Sequence, residues 1–85
     1  MKLAIDKAAA KILDRMQPKR ASAIVAELET IAADPFARHG NVKALAGAKD
    51  RFRLRHGDWR VLYKLDRTTA VMTVYWIGTR GGAYR

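Results

Sequence analysis

The chain has 85 residues, 49% of them hydrophobic, with two prolines and no cysteine. That length supports one domain over residues 1–85, burying about 60% of its unfolded surface, and the lack of cysteine excludes a disulfide framework or a thiolate metal site. Seventeen Lys and Arg stand against eight Asp and Glu, a net charge of +9, which in so small a domain points to a polyanion or an acidic protein partner.

The charge is uneven. Residues 51–85 hold eight basic and two acidic side chains (+6), and residues 1–50 hold nine and six (+3). No run approaches the length of a membrane span, and Met1-Lys2-Leu3 leads into no signal-peptide core. A soluble, cytoplasmic protein with no membrane partner is expected.

In chain order, Lys2 to Ile5 is a short apolar stretch, a candidate edge strand. Asp6 is a predicted N-cap for a helix to about Met16, with Ala9, Ile12, Leu13 and Met16 on one face. Gln17-Pro18 breaks it, and Pro18 suits the first position of a second helix. That helix carries Ala21, Ile24, Val25, Leu28, Ile31 and Ala32 at helical spacing and stops at Asp34-Pro35. The two read as a helical hairpin whose apolar stripes are core. Periodicity is lost from Pro35 to Lys49, where Val42 and Leu45 are expected to anchor a loop and Lys43 to look outward.

The most informative stretch is Arg51 to Tyr63. Apolar and basic residues alternate up to Gly57-Asp58 and again from Trp59, the period of a strand with one apolar and one cationic face. Gly57 at the first turn position suits a type II′ hairpin. Folding there sets His56 opposite Trp59, Leu54 opposite Val61 and Phe52 opposite Tyr63 on the core face. The other face then opposes Arg55 with Arg60, Arg53 with Leu62, and Arg51 with Lys64. Like charges directly opposed destabilise a sheet, so their pairing points to an anion held between them.

Asp66 to Thr69 is a polar turn. From Ala70 to Ile77 apolar residues fall on both parities, which predicts a central strand covered on both sides. Helices would cover one side; Trp76 or Met72 would floor the basic groove on the other. In the tail after Gly78, Tyr84 beside arginines is a group suited to stacking on a base. Asp50, Asp58 and Asp66 show no metal-binding spacing, two lone histidines make no zinc site, and no phosphate-binding glycine loop or hydrolase triad is present. No cofactor is expected.

Three motifs together, Val42-Lys-x-Leu45-x-Gly47, the Arg51–Tyr63 hairpin and Gly78-x-Arg80…Tyr84, resemble the RelE/ParE superfamily of bacterial toxins over most of the chain. The resemblance implies an α+β fold, two N-terminal helices packed on one face of a small antiparallel sheet. It also implies a toxin of a type II toxin–antitoxin pair. RelE-type members are metal-independent endoribonucleases that cut mRNA in the ribosomal decoding site; ParE-type members bind and poison DNA gyrase on the same scaffold.

By that resemblance the RelE-type catalytic set is Arg53, Arg55, Arg60, Arg80 and Tyr84. Lys43, Arg51, Lys64 and Arg85 are the expected RNA-binding residues around it. RelE-type enzymes carry lysine at the positions of Arg53 and Arg55. Arginine stabilises phosphate charge bidentately, but it stays charged at any ordinary pH and so makes a poor proton acceptor. Tyr84 and His56 both remain open for that role, although the hairpin register sets His56 on the core side. The ribosome-dependent endoribonuclease is the favoured reading, with the gyrase poison as the alternative. Under either, the +9 charge expects a cognate acidic antitoxin.

Overall fold

The computed structural model describes residues 1–79. Its element order is β1 (Lys2–Ile5), α1 (Lys7–Arg15), α2 (Pro18–Ala33), β2 (Val42–Ala44), β3 (Arg51–His56), β4 (Trp59–Asp66) and β5 (Val71–Gly78). The strands form one sheet in the order β1-β5-β4-β3-β2. Two helices pack on one face of this mostly antiparallel sheet, the expected α+β arrangement.

Asp6 caps α1 as the sequence predicts: its Oδ1 accepts from the Ala9 amide at 2.9 Å. Ala9 and Met16 are buried, and Ile12 and Leu13 pack against them. Pro18 opens α2, where it forfeits no intrahelical hydrogen bond. Pro35 disfavours a helical Asp34, which ends the helix. Ile24, Leu28 and Ile31 follow the i, i+4, i+7 stripe of α2 and lie fully buried. They meet Leu54, Val61, Tyr63, Leu65, Met72, Val74 and Ile77 from the sheet. Each helix of the pair rests mainly on the sheet, and contact between the two is sparse.

The β3–β4 hairpin has the predicted register throughout, from Arg51↔Lys64 to His56↔Trp59. Gly57 has φ +59 and Asp58 does not have positive φ, as a type II′ turn requires. Four features differ from expectation. First, β1 pairs β5 in parallel, Lys2↔Val71 to Ile5↔Val74, so the sheet is mixed. Second, the expected loop over 35–49 contains β2, antiparallel to β3 and short enough to leave no periodic signal. Third, β4 is the central strand, and β5 lies between it and β1.

Fourth, a register shift between Leu62 and Tyr63 pairs Leu62 with Trp76 but Tyr63 with Val74. Tyr75 is the additional residue of this bulge, and the faces of β5 exchange parity across it. Met72 and Val74 point into the core before it, and Ile77 does so after it. That exchange, and not coverage on both sides, is why apolar residues fall on both parities. Met72 is therefore core, and Trp76 alone takes the expected floor position.

Candidate nucleic-acid interface

Pairing places side chains of the helix-free face in rows across the sheet. One row is Arg55, Arg60 and Gly78; the next is Lys43, Arg53, Leu62 and Trp76; a third is Arg51, Lys64 and Thr73. Partners within a row stand about 5 Å apart, and rows follow each other at about 7 Å, two residues along a strand. Five of the strand cations named from the sequence (Arg51, Arg53, Arg55, Arg60 and Lys64) thus share one face. Lys43, expected only to look outward from a loop, joins them through β2.

Arg55 is exposed and Arg60 half-buried, with Arg60 Nη1 donating to the Asp58 carbonyl at 3.4 Å. Arg53 is half-buried beside Leu62, which is 2% exposed yet stands outside the helix-facing core. Leu62 and Trp76 give the basic face an apolar floor. A Cβ at Gly78 would come within 2.5 Å of Trp76 Cζ2 and Cη2. The indole therefore lies across Gly78, at the end of the Arg55–Arg60 row.

The opposite face holds His56. Its Nδ1 donates to Glu27 Oε1 of α2 at 2.7 Å, which ties the hairpin tip to the helix and takes the imidazole away from the arginines. Arg20 of α2 approaches the same tip, with Nη1 2.9 Å from where a Cβ at Gly57 would stand. His39 belongs to neither face; its Nε2 donates to the Asp34 carbonyl at 2.8 Å and closes the turn after α2.

A second charged region lies at the far end of the sheet, which sequence reasoning missed. Arg67 donates from Nε and Nη2 to both oxygens of Asp50, at 2.9 and 3.0 Å. The guanidinium holds the Asp50 carboxyl below the usual range. It also stacks over Phe36, 4.4 Å from the ring centre. Asp66 accepts from the amides of Thr68 and Thr69, which lower its pKa. Arg51 lies 5.0 Å from the centre of the Tyr75 ring. Only the turn composition around 47–50 and 66–69 marked this region in the sequence; a pairing across 17 residues leaves no local trace.

Among the described residues, no group of three or more His, Cys, Asp or Glu could hold a metal ion. Also, no helix is long and apolar enough to cross a membrane. Arg80, Tyr84 and Arg85 lie outside the described residues. What the face offers chemically is anion binding: guanidinium forks for two oxygens of one phosphate, lysines as point charges, and an apolar floor for a sugar or base.

The sequence matches, over residues 3–84, the family model described as the ParE toxin of type II toxin–antitoxin system, parDE. The chain belongs to this toxin family. It is thus a type II toxin of the RelE/ParE superfamily, as its motifs imply. No curated protein sequence matches it. Solved structures share the toxin fold. RelE in the RelE–RelB complex from Pyrococcus horikoshii OT3 superposes with a TM-score of 0.80 at 24% identity, covering 94% of each chain. The isolated Escherichia coli RelE toxin gives 0.79 at 20% identity, over 98% of this toxin and 89% of that one. The YoeB/ParE toxin from Agrobacterium tumefaciens gives 0.75 at 18% identity, over 94% and 99%.

Proposed function

We propose that this toxin is a ribosome-dependent mRNA endoribonuclease, an mRNA interferase. The observation that carries the reading is the opposed Arg55–Arg60 pair on the helix-free face. Arg53 stands in the neighbouring row, and Leu62 and Trp76 lie beneath. A stable sheet gains nothing from two guanidinium groups facing each other. A phosphate between them turns that repulsion into two charge-assisted contacts.

In the proposed reaction the ribose 2′-oxygen attacks the adjacent phosphorus as its proton leaves to an acceptor. The P–O5′ bond then breaks, and the leaving oxygen takes up a proton. The products are a 2′,3′-cyclic phosphate and a free 5′-hydroxyl. Arg53, Arg55, Arg60 and Arg80 stabilise the charge gathering on the phosphate oxygens. Lys43, Arg51, Lys64 and Arg85 hold the strand. His56 is committed to Glu27 on the other face, which leaves Tyr84 as this chain's group for proton transfer. The ribosome completes the geometry, so free RNA is a far slower substrate.

The test is to map mRNA 5′ ends in a translation reaction with the toxin added. Cuts confined to ribosome-occupied codons, lost in Arg60→Ala, are expected; absence of cuts refutes the reading. One finding favours a second one: the matching family model is that of ParE, and a gyrase poison would use the same fold as a binding module. Gyrase-dependent DNA breaks without mRNA cuts would replace the first reading with the second.

The natural inhibitor under either reading is a cognate acidic antitoxin, since the +9 charge attracts an acidic segment that orders on binding. RelE relatives are solved with RelB antitoxins. High salt should slow that association. Both targets place the action in the cytoplasm.

A further inference from the structure

The cations at the far end of the sheet surround a hollow of about 480 Å³, lined by Lys49, Arg51, Lys64 and Arg67 together with Asp50 and Asp66. We infer that this hollow is a second phosphate-binding subsite, taking a phosphate of the same single RNA strand whose scissile linkage lies between Arg55 and Arg60. The inference rests on the helix-free face being an RNA-binding surface and adds a location outside the proposed catalytic set.

Three observations carry it. The first is the state of the acids. Asp50 is paired with Arg67, as Glu27 is with His56. Asp50 spends both oxygens on Arg67, and Asp66 turns Oδ1 to the amides of its own turn. Lys49 acts on Asp50, and Lys64 on Asp66, only through space and without a direct ion pair, and both lysines are exposed.

The second is repetition. Arg51 faces Lys64 in the ladder just as Arg55 faces Arg60, so the costly opposition of like charges occurs twice on one face. The two pairs are four residues apart along β3, about 13 Å. That is too far for one phosphate to serve both and suits an extended strand running along the sheet. The third is preorganisation. Arg67 is fixed by its bidentate bridge and by Phe36, and Arg51 leans on the Tyr75 ring. Ordering them costs a ligand little rotamer entropy.

The test measures binding of a fluorescent nine-nucleotide single-stranded RNA by anisotropy across a salt series. It compares wild type, Arg55→Gln/Arg60→Gln and Lys49→Gln/Lys64→Gln. The last pair of positions is exposed, so the fold survives. For single strands log K falls with log salt at about −0.7 per phosphate neutralised. Losing the one phosphate held there should lower the slope magnitude by about 0.7 and weaken binding roughly 5-fold at 0.1 M salt. The arginine variant should keep its sensitivity to Lys49→Gln/Lys64→Gln when the four changes are combined.

Unchanged affinity and slope in Lys49→Gln/Lys64→Gln overturn the subsite. So does a loss seen with a blunt RNA hairpin but not the single strand, or with an acidic peptide and not RNA. Absence of ribosome-dependent cuts, with the lysine-dependent slope intact, would instead remove the nuclease reading and leave the subsite standing.

Discussion

Replacing Arg55 by Gln should make this protein more stable and less toxic. Arg55 and Arg60 are cross-strand partners on an exposed face, which sets their side-chain roots about 5 Å apart. Two unit charges splayed to about 6 Å repel by about 0.7 kcal/mol in a water-like medium, and by about 3 kcal/mol at an effective dielectric of 20. A value near 1 kcal/mol is the reasonable expectation for this half-exposed pair at low salt. For a domain of this size it corresponds to a rise in melting temperature of roughly 4–8 °C. Screening then becomes the signature. The Debye length falls from about 30 Å at 0.01 M to about 3 Å at 1 M, so the gain should shrink steadily and vanish by 1 M salt.

Urea unfolding of wild type, Arg55→Gln and Arg55→Lys at these ionic strengths measures it, and Arg55→Lys, which keeps the charge, should show no gain. Ribosome-dependent cleavage by Arg55→Gln should fall by about 100-fold, the scale for removing one preorganised charge-stabilising group. A variant no more stable than wild type at 0.01 M, or a gain indifferent to salt, would refute the claim that the sheet carries this repulsion.

Other expectations follow from single contacts. Burial pushes the Tyr63 phenol up to about 12 from 10.0, so the fold favours the neutral form; stability is full below pH 10 and falls as pH rises toward 12. The two units correspond to about 2.7 kcal/mol, and urea unfolding of Tyr63→Phe should lack that alkaline loss. Asp50 is the opposite case: its pKa is lowered by Arg67, so its contribution is present above about pH 4 and lost as pH falls through the depressed folded value. Arg67→Ala should flatten the stability profile there, as thermal melts from pH 6 to pH 2 would show. Gly78→Ala forces the Trp76 indole to move, with a cost of about 1–3 kcal/mol. Tryptophan emission in a Trp59→Phe background should shift, and an unmoved spectrum would contradict the indole's placement.

How much of this was legible in the sequence depends on the range over which each feature is encoded. The β3–β4 hairpin was readable because alternation and the Gly57-Asp58 turn fix register locally, and the opposition of Arg55 to Arg60 follows from register alone. The helices were readable from Asp6, Pro18 and the spacing of Ile24, Leu28 and Ile31. What escaped is encoded between distant residues. Nothing in Lys2 to Ile5 states that its partner is Val71 to Val74, or that it runs parallel. Three residues of β2 between turn signals are too few to show a period. The bulge at Tyr75 made a strand with one core face look covered on two, and so misplaced Met72. In the same way Asp50 and Asp66 looked like turn acids. Only the folded chain shows Asp50 bridged to Arg67 and Asp66 bonded to the amides of its own turn.

The parallel seam between β1 and β5 joins the beginning of the described chain to its end. Such a contact has nearly the greatest sequence separation the chain allows, and contacts of that kind form late and slowly. During synthesis β1 emerges first and waits for its partner, and α1 and α2 wait with it for the β4 and β5 residues they cover. Trp76, part of the floor of the anion-binding face, arrives only with β5, the strand that also closes this seam.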